Sequence, residues 1–181
     1  ETEEAPWLAY RGSSVEEGEV LHLVARSLTI IVSTSPAEHH CNSNLLLQVL
    51  RSLQGNKALR GCRKIVVFDA LPSEADQQAA WEDGTVAQSG ERWVPRGNQK
   101  LAQAYEQYKQ EIRDAMERED PAMHQVEPLF MPKWGHLVGT IHYALEKLAT
   151  PFVLLHQHDL LLSSCFTSDH VVGICHALAQ R

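Results

Sequence analysis

Apolar positions along the chain fall into two kinds of pattern. Continuous apolar, β-branched runs stand at Leu28-Thr-Ile-Ile-Val-Ser33, Lys64-Ile-Val-Val-Phe68 and Phe152-Val-Leu-Leu155. Runs of that length without polar alternation predict strands buried on both faces. Between them the spacing becomes helical. Leu45, Leu46, Val49, Leu50 and Leu53 share one face of a helix that Asn42 or Ser43 caps and Gly55-Asn56 closes. Further helices are predicted over Asn98 to Glu119, Gly135 to Leu148 and Asp169 to Gln180, with a short strand over Val126 to Met131. The helix over Gly135 to Leu148 turns Leu137, Val138, Ile141, Ala144, Leu145 and Leu148 inward.

This order, β-α-β-loop-α-β-α-β-α, predicts an α/β fold: an open, mostly parallel sheet with helices on both faces. Residues 1–26, acidic at Glu1, Glu3, Glu4, Glu16, Glu17 and Glu19, read as an N-terminal arm, and 27–181 as one domain. Residues 70–98, punctuated by Pro72, Gly84, Gly90, Pro95 and Gly97, read as a surface excursion or functional loop.

Open α/β sheets bind ligands beyond the carboxyl ends of their strands. The groups predicted there are Ser33 to Ser35, Asp69, Pro132 to Gly135 and His156 to Asp159. Ser33, Thr34 and Ser35 offer hydroxyls and backbone N–H groups to a nucleotide, without the glycines of GxGxxG or GxxxxGK[ST]. Asp69, at a strand tip, is either an acceptor for ligand hydroxyls and base N–H groups or a cap for the following turn. In His156-Gln157-His158-Asp159, strand alternation puts both histidines on one face and Gln157 with Asp159 on the other. Two nitrogens and a carboxylate suit a divalent cation; otherwise His156 is a hydrogen-bonded core residue and Asp159 a cap. His136 and His142, six apart, do not share a helix face, and His39-His40 reads as surface. No GxSxG elbow is present, and Cys165 has no positioned base.

Composition narrows the field. With 181 residues and 16 Lys+Arg against 23 Asp+Glu, the net charge of −7 argues against broad nucleic-acid or anionic-membrane binding. No apolar run reaches the length of a membrane span, and the first residues do not read as a signal peptide. Four scattered cysteines without CxxC spacing oppose a disulfide scaffold or thiolate zinc site. There is no Asn-x-Ser/Thr sequon, and both a Golgi or other secretory lumen and the cytoplasm stay open as compartments.

Together these segments resemble the nucleotide-sugar-binding half of GT-A glycosyltransferases, the inverting family-2-like kind. The strand, polar turn and Asn-led helix of Leu28–Ser35 and Asn44–Leu53 look like that family's opening. Lys64-Ile-Val-Val-Phe-Asp69 is similar to its second strand with an acidic end. Gly135 to Leu148 followed by Thr150–Asp159 looks like its Gly-led helix and Asp-x-Asp strand. The resemblance implies that Ser33, Thr34 and Ser35 line a nucleotide pocket and that Asp69 binds ribose or base. It implies that Asp159, with His158 beside it, holds a Mn²⁺ or Mg²⁺ bridging the donor diphosphate. The first Asp of the motif is Gln157, the usual Asp-Asp pair is Asp69-Ala70, and Arg-Asn appears as Ile141-His142. No acceptor half or general base follows Asp159 within this chain.

The function expected on that resemblance is transfer of a sugar from a nucleotide diphosphate donor to an acceptor hydroxyl. The alternative is a catalytically inactive domain of the same fold acting as a structural or interaction subunit, with a protein partner supplying or replacing the acceptor half. A metal hydrolase using His156, His158 and Asp159 fits less well, because no histidine follows at the required place.

Overall fold

The computed structural model describes residues 16–36, 41–73 and 99–180. Most of the irregular stretch at 70–98, the acidic start of the arm and His39-His40 lie outside the described residues. The elements are α1 (Glu17–Ser27), β1 (Leu28–Thr34), α2 (Ser43–Gly55), the single turn α3 (Lys57–Arg60), β2 (Arg63–Phe68), α4 (Gln99–Glu117), β3 (Val126–Phe130), α5 (His136–Leu145), β4 (Phe152–Gln157) and α6 (Ser168–Ala179). A 3₁₀ turn at Pro121–Met123 leads into β3.

The four strands form an all-parallel open sheet in the order β3-β2-β1-β4. β1 and β2 lie inside it, and this position fits their unbroken apolar sequences: every residue of β1 is buried, and in β2 all but Arg63. α2 and α4 pack on one face, where Leu46, Val49, Leu50 and Leu53 meet Val32, Val66, Phe68, Tyr105, Tyr108 and Ile112. α5 covers the opposite face, against Ile31, Ile65 and Val67. Crossovers stepping outward from β1 to β3 place helices on one side of the sheet, and the return to β4 places α5 on the other. This is the arrangement right-handed connections require.

Buried polar groups tie the layers. Asn56 accepts from the Ala58 N–H at 3.0 Å and from the Ser168 hydroxyl at 3.0 Å, and donates to the Phe166 carbonyl at 2.9 Å, fixing α6 against α3. Lys64 is fully buried, and its Nζ donates to the carbonyls of Arg60 at 3.1 Å and Cys62 at 2.9 Å.

Three expectations need correction. First, the part of the arm at Glu17–Ser27 is a helix, and Val20 and Val24 seat it on the core. Second, β4 is an outer strand and not buried on both faces: Leu155 is 52% exposed. Third, α5 buries Thr140 and Ala144, while Leu137, Val138 and Leu145 face outward. Small side chains let the helix lie close to the sheet, and no second helix among the described residues covers the larger ones. The other outer strand, β3, carries Glu127 and Pro128, residues suited to an edge.

Candidate functional site

In this strand order the crossovers change side of the sheet between β1 and β4, and beyond the carboxyl ends of two such strands is the place where open parallel sheets hold ligands. The sequence brings four polar groups to that edge, and the structure assigns them different duties.

Ser33 and Thr34 end β1 and are both buried. The Thr34 hydroxyl donates to the Val67 carbonyl at 3.0 Å and lies 3.4 Å from the Tyr105 hydroxyl. The Ser33 carbonyl accepts from the His158 backbone N–H at 3.3 Å and from His158 Nδ1 at 3.0 Å. Ser35 is the partly exposed member of the three.

His156 and His158 leave the edge in different ways. β4 ends at Gln157, so strand alternation stops before His158. The His156 Nε2 donates to the Leu160 carbonyl at 2.7 Å and closes the turn after the strand. His158 is buried and braced against β1. Asp159, the next residue, stays partly exposed on the turn.

Asp69 is only 3% exposed, and its Oδ1 accepts two backbone N–H groups, from Ala70 at 2.8 Å and from Gly135 at 2.8 Å. Its own carbonyl accepts the Tyr105 hydroxyl at 2.9 Å. Burial pushes the carboxyl up to about 6, although N–H groups of Gly135, Ala70 and His136 and the His136 ring pull the other way. The turn-cap reading of Asp69 is thus realised, together with a longer bond to the start of α5.

That start is a tight corner. A Cβ on Gly135 would meet Met131 Cε at 2.6 Å and the Gly139 Cα at 3.0 Å, so the position admits no side chain without movement. His136 follows with φ of 55°, the left-handed region that non-glycine residues seldom occupy. Its exposed ring meets the Trp134 ring edge-on, with centroids 6.0 Å apart. Pro132 to Gly135 was legible as a strand-end segment; the left-handed His136 was not, because nothing in its neighbours signals that φ.

Among the described residues no group of three or more His, Cys, Asp and Glu side chains gathers as a metal cage. One carboxylate is a sufficient protein ligand for a hard cation that also binds substrate phosphates and water, and Asp159 fits that donor set. His158, buried with Nδ1 spent on Ser33, fits it less well. A separate pocket lined by Met116, Asp120, Met123 and His124 lies at the start of β3, at the opposite end of the strands.

Comparison with known proteins returned no matching family model, curated protein or solved structure.

Proposed function

We propose that this chain is a GT-A-like domain that binds a nucleotide diphosphate sugar at the carboxyl edge of its sheet and takes part in sugar transfer to an acceptor hydroxyl. The observation that carries the proposal is the strand order β3-β2-β1-β4 with Ser35, Asp69 and Asp159 at the ends of three adjacent strands. A reversal of strand order there makes a crevice, and the partly exposed Asp159 carboxylate beside it gives a diphosphate-bound cation its protein ligand.

In this reading Asp159 holds Mn²⁺ or Mg²⁺ and His158 braces the turn that presents it. The ion supplies Lewis-acid stabilisation of charge on the departing diphosphate. Ser35 and the backbone after β1 meet the nucleotide. The acidic surface is compatible with this, since the cation supplies the positive charge locally.

Isothermal titration of UDP and GDP, with and without Mn²⁺, tests the proposal. Mn²⁺-dependent binding by the wild type, weakened at least about tenfold in Asp159→Ala, is the expected result; tenfold corresponds to about 1.4 kcal/mol. Metal-independent affinity, or no affinity for either nucleotide, overturns it.

A second reading, an inactive α/β subunit acting through protein contacts, is favoured by one observation. Leu155, Leu160, Leu161, Ile174 and Leu178 are each about half exposed, on β4, the turn after it and α6. Apolar exposure of that extent marks interaction surfaces when contiguous. Concentration-independent monomeric sedimentation together with Mn²⁺-dependent nucleotide binding decides against it.

A further inference from the structure

Three facts about Asp69 set it apart from a ligand contact. The residue is only 3% exposed, so little of its carboxylate is open to solvent. Its Oδ1 already accepts two backbone N–H groups at 2.8 Å, one of them on a residue 66 positions away. That distant residue, Gly135, opens a corner where His136 sits in the left-handed region and where a Cβ on Gly135 would crowd Met131 and the Gly139 backbone. A left-handed non-glycine residue costs free energy and persists only where surrounding bonds over-determine it. The bond from Gly135 N to the Asp69 carboxylate is one such constraint. A second is the Met131 N–H donating to the Phe68 carbonyl at 2.9 Å, which continues the β2–β3 pairing up to the corner.

The corner is therefore held to the end of β2 by the backbone pairing at Met131 and, at the start of α5, by the Asp69 carboxylate. It presents two ring side chains at the ligand-binding edge, Trp134 partly exposed and His136 exposed. Aromatic faces and edges of this kind pair with planar π-systems such as a nucleobase.

We infer that Asp69 is a positioning residue: its carboxylate clamps the Trp134–His136 corner to β2, and the corner, in place of the carboxylate, meets the base of the bound nucleotide. The second half rests on the nucleotide-binding reading above; the first half does not. Asp69 acts through Gly135. An acceptor oxygen at position 69 is what the clamp requires, whether or not it is charged.

Two measurements divide the inference. The first needs no ligand: amide hydrogen exchange over residues 135–139 in the wild type, Asp69→Asn and Asp69→Ala. Loss of a charge-assisted hydrogen bond predicts about tenfold faster exchange in Asp69→Ala, with Asp69→Asn restoring most of the protection. Equal protection in all three proteins overturns the clamp. Should Asp69→Ala not fold, the wild-type Gly135 amide proton resonance decides: it moves with the titration of Asp69 if the clamp exists and stays fixed if it does not.

The second measurement is titration with UDP and GDP in the presence of Mn²⁺. Asp69→Asn is expected to bind within about threefold of wild type, and Trp134→Ala to lose about fivefold, the value of one aromatic contact. Asp69→Asn failing to bind while Trp134→Ala binds normally overturns the inference and returns Asp69 to direct contact. No nucleotide binding by the wild type overturns the proposed function and the base contact together, and the exchange result still judges the clamp.

Discussion

Replacing Asp69 by Asn should change how the stability of the fold depends on pH. The native carboxyl is raised from 3.8 to about 6 by burial. A carboxyl raised on folding stabilises the native state fully below its unfolded value and loses that contribution as pH rises through the native one. About two units correspond to about 3 kcal/mol between the limits. Between pH 4.5 and 7.5 the accessible part is about 2 kcal/mol, since the unfolded group is already largely ionised at the lower value. Asn keeps an acceptor oxygen for the Gly135 and Ala70 N–H groups and does not titrate. Urea unfolding followed by circular dichroism at several pH values measures the difference between wild type and Asp69→Asn. Relative to the variant, the wild type should lose about 2 kcal/mol from pH 4.5 to pH 7.5. A difference constant across that range would refute the argument that burial, and not a compensating positive charge, governs Asp69.

Other expected outcomes follow from single groups. Burial lowers the Lys64 amine from 10.5 to about 8, so wild type should gain on Lys64→Met by up to about 3 kcal/mol as pH rises from 8 to 10.5, read from paired urea melts. The Tyr108 hydroxyl is buried and makes no hydrogen bond among the described residues; Tyr108→Phe should hold or raise the melting temperature, by the equivalent of about 1 kcal/mol. Gly135→Ala, which drives a methyl against Met131 and the Gly139 backbone, should lower stability by about 1–3 kcal/mol in the same melts.

The parts of the fold legible in the sequence were those decided locally. β1 and β2 announce themselves because both of their faces are covered, so their residues need no alternation. α2 was bounded correctly, with the Asn42 side chain accepting the Leu45 N–H at 3.3 Å. β4 has nearly the same apolar run, and nothing within it distinguishes an inner strand from an outer one; its place follows from the chain's return past β1. α5 misled for a related reason. Its large apolar residues form a convincing stripe, but the helix approaches the sheet through Thr140 and Ala144. α1 is charge-rich and holds itself to the core with few apolar contacts, too sparse a pattern to separate from an arm.

The candidate site divides in the same way. Asp69 and Asp159 stand at strand ends, as their sequence context predicts. What the sequence does not carry is the use of each group. The partner of Asp69 is 66 residues away, and the carbonyl that engages His158 Nδ1 is 125 residues away. Hence Ser33, Thr34, Asp69 and His158, four of the six residues expected at a ligand, are buried.

The two rims of the sheet differ in a way that bears on assembly. β3 is blunted by a carboxylate and a proline, whereas Phe152–Gln157 contains neither charge nor proline. A sheet receptive at both rims can add strands without end and grow into a fibre. A sheet receptive at one rim cannot propagate: whatever strand joins β4, from another protein or a second copy across a two-fold axis, ends the addition. The asymmetry of one proline and one glutamate thus separates a chain that can pair from one that would polymerise.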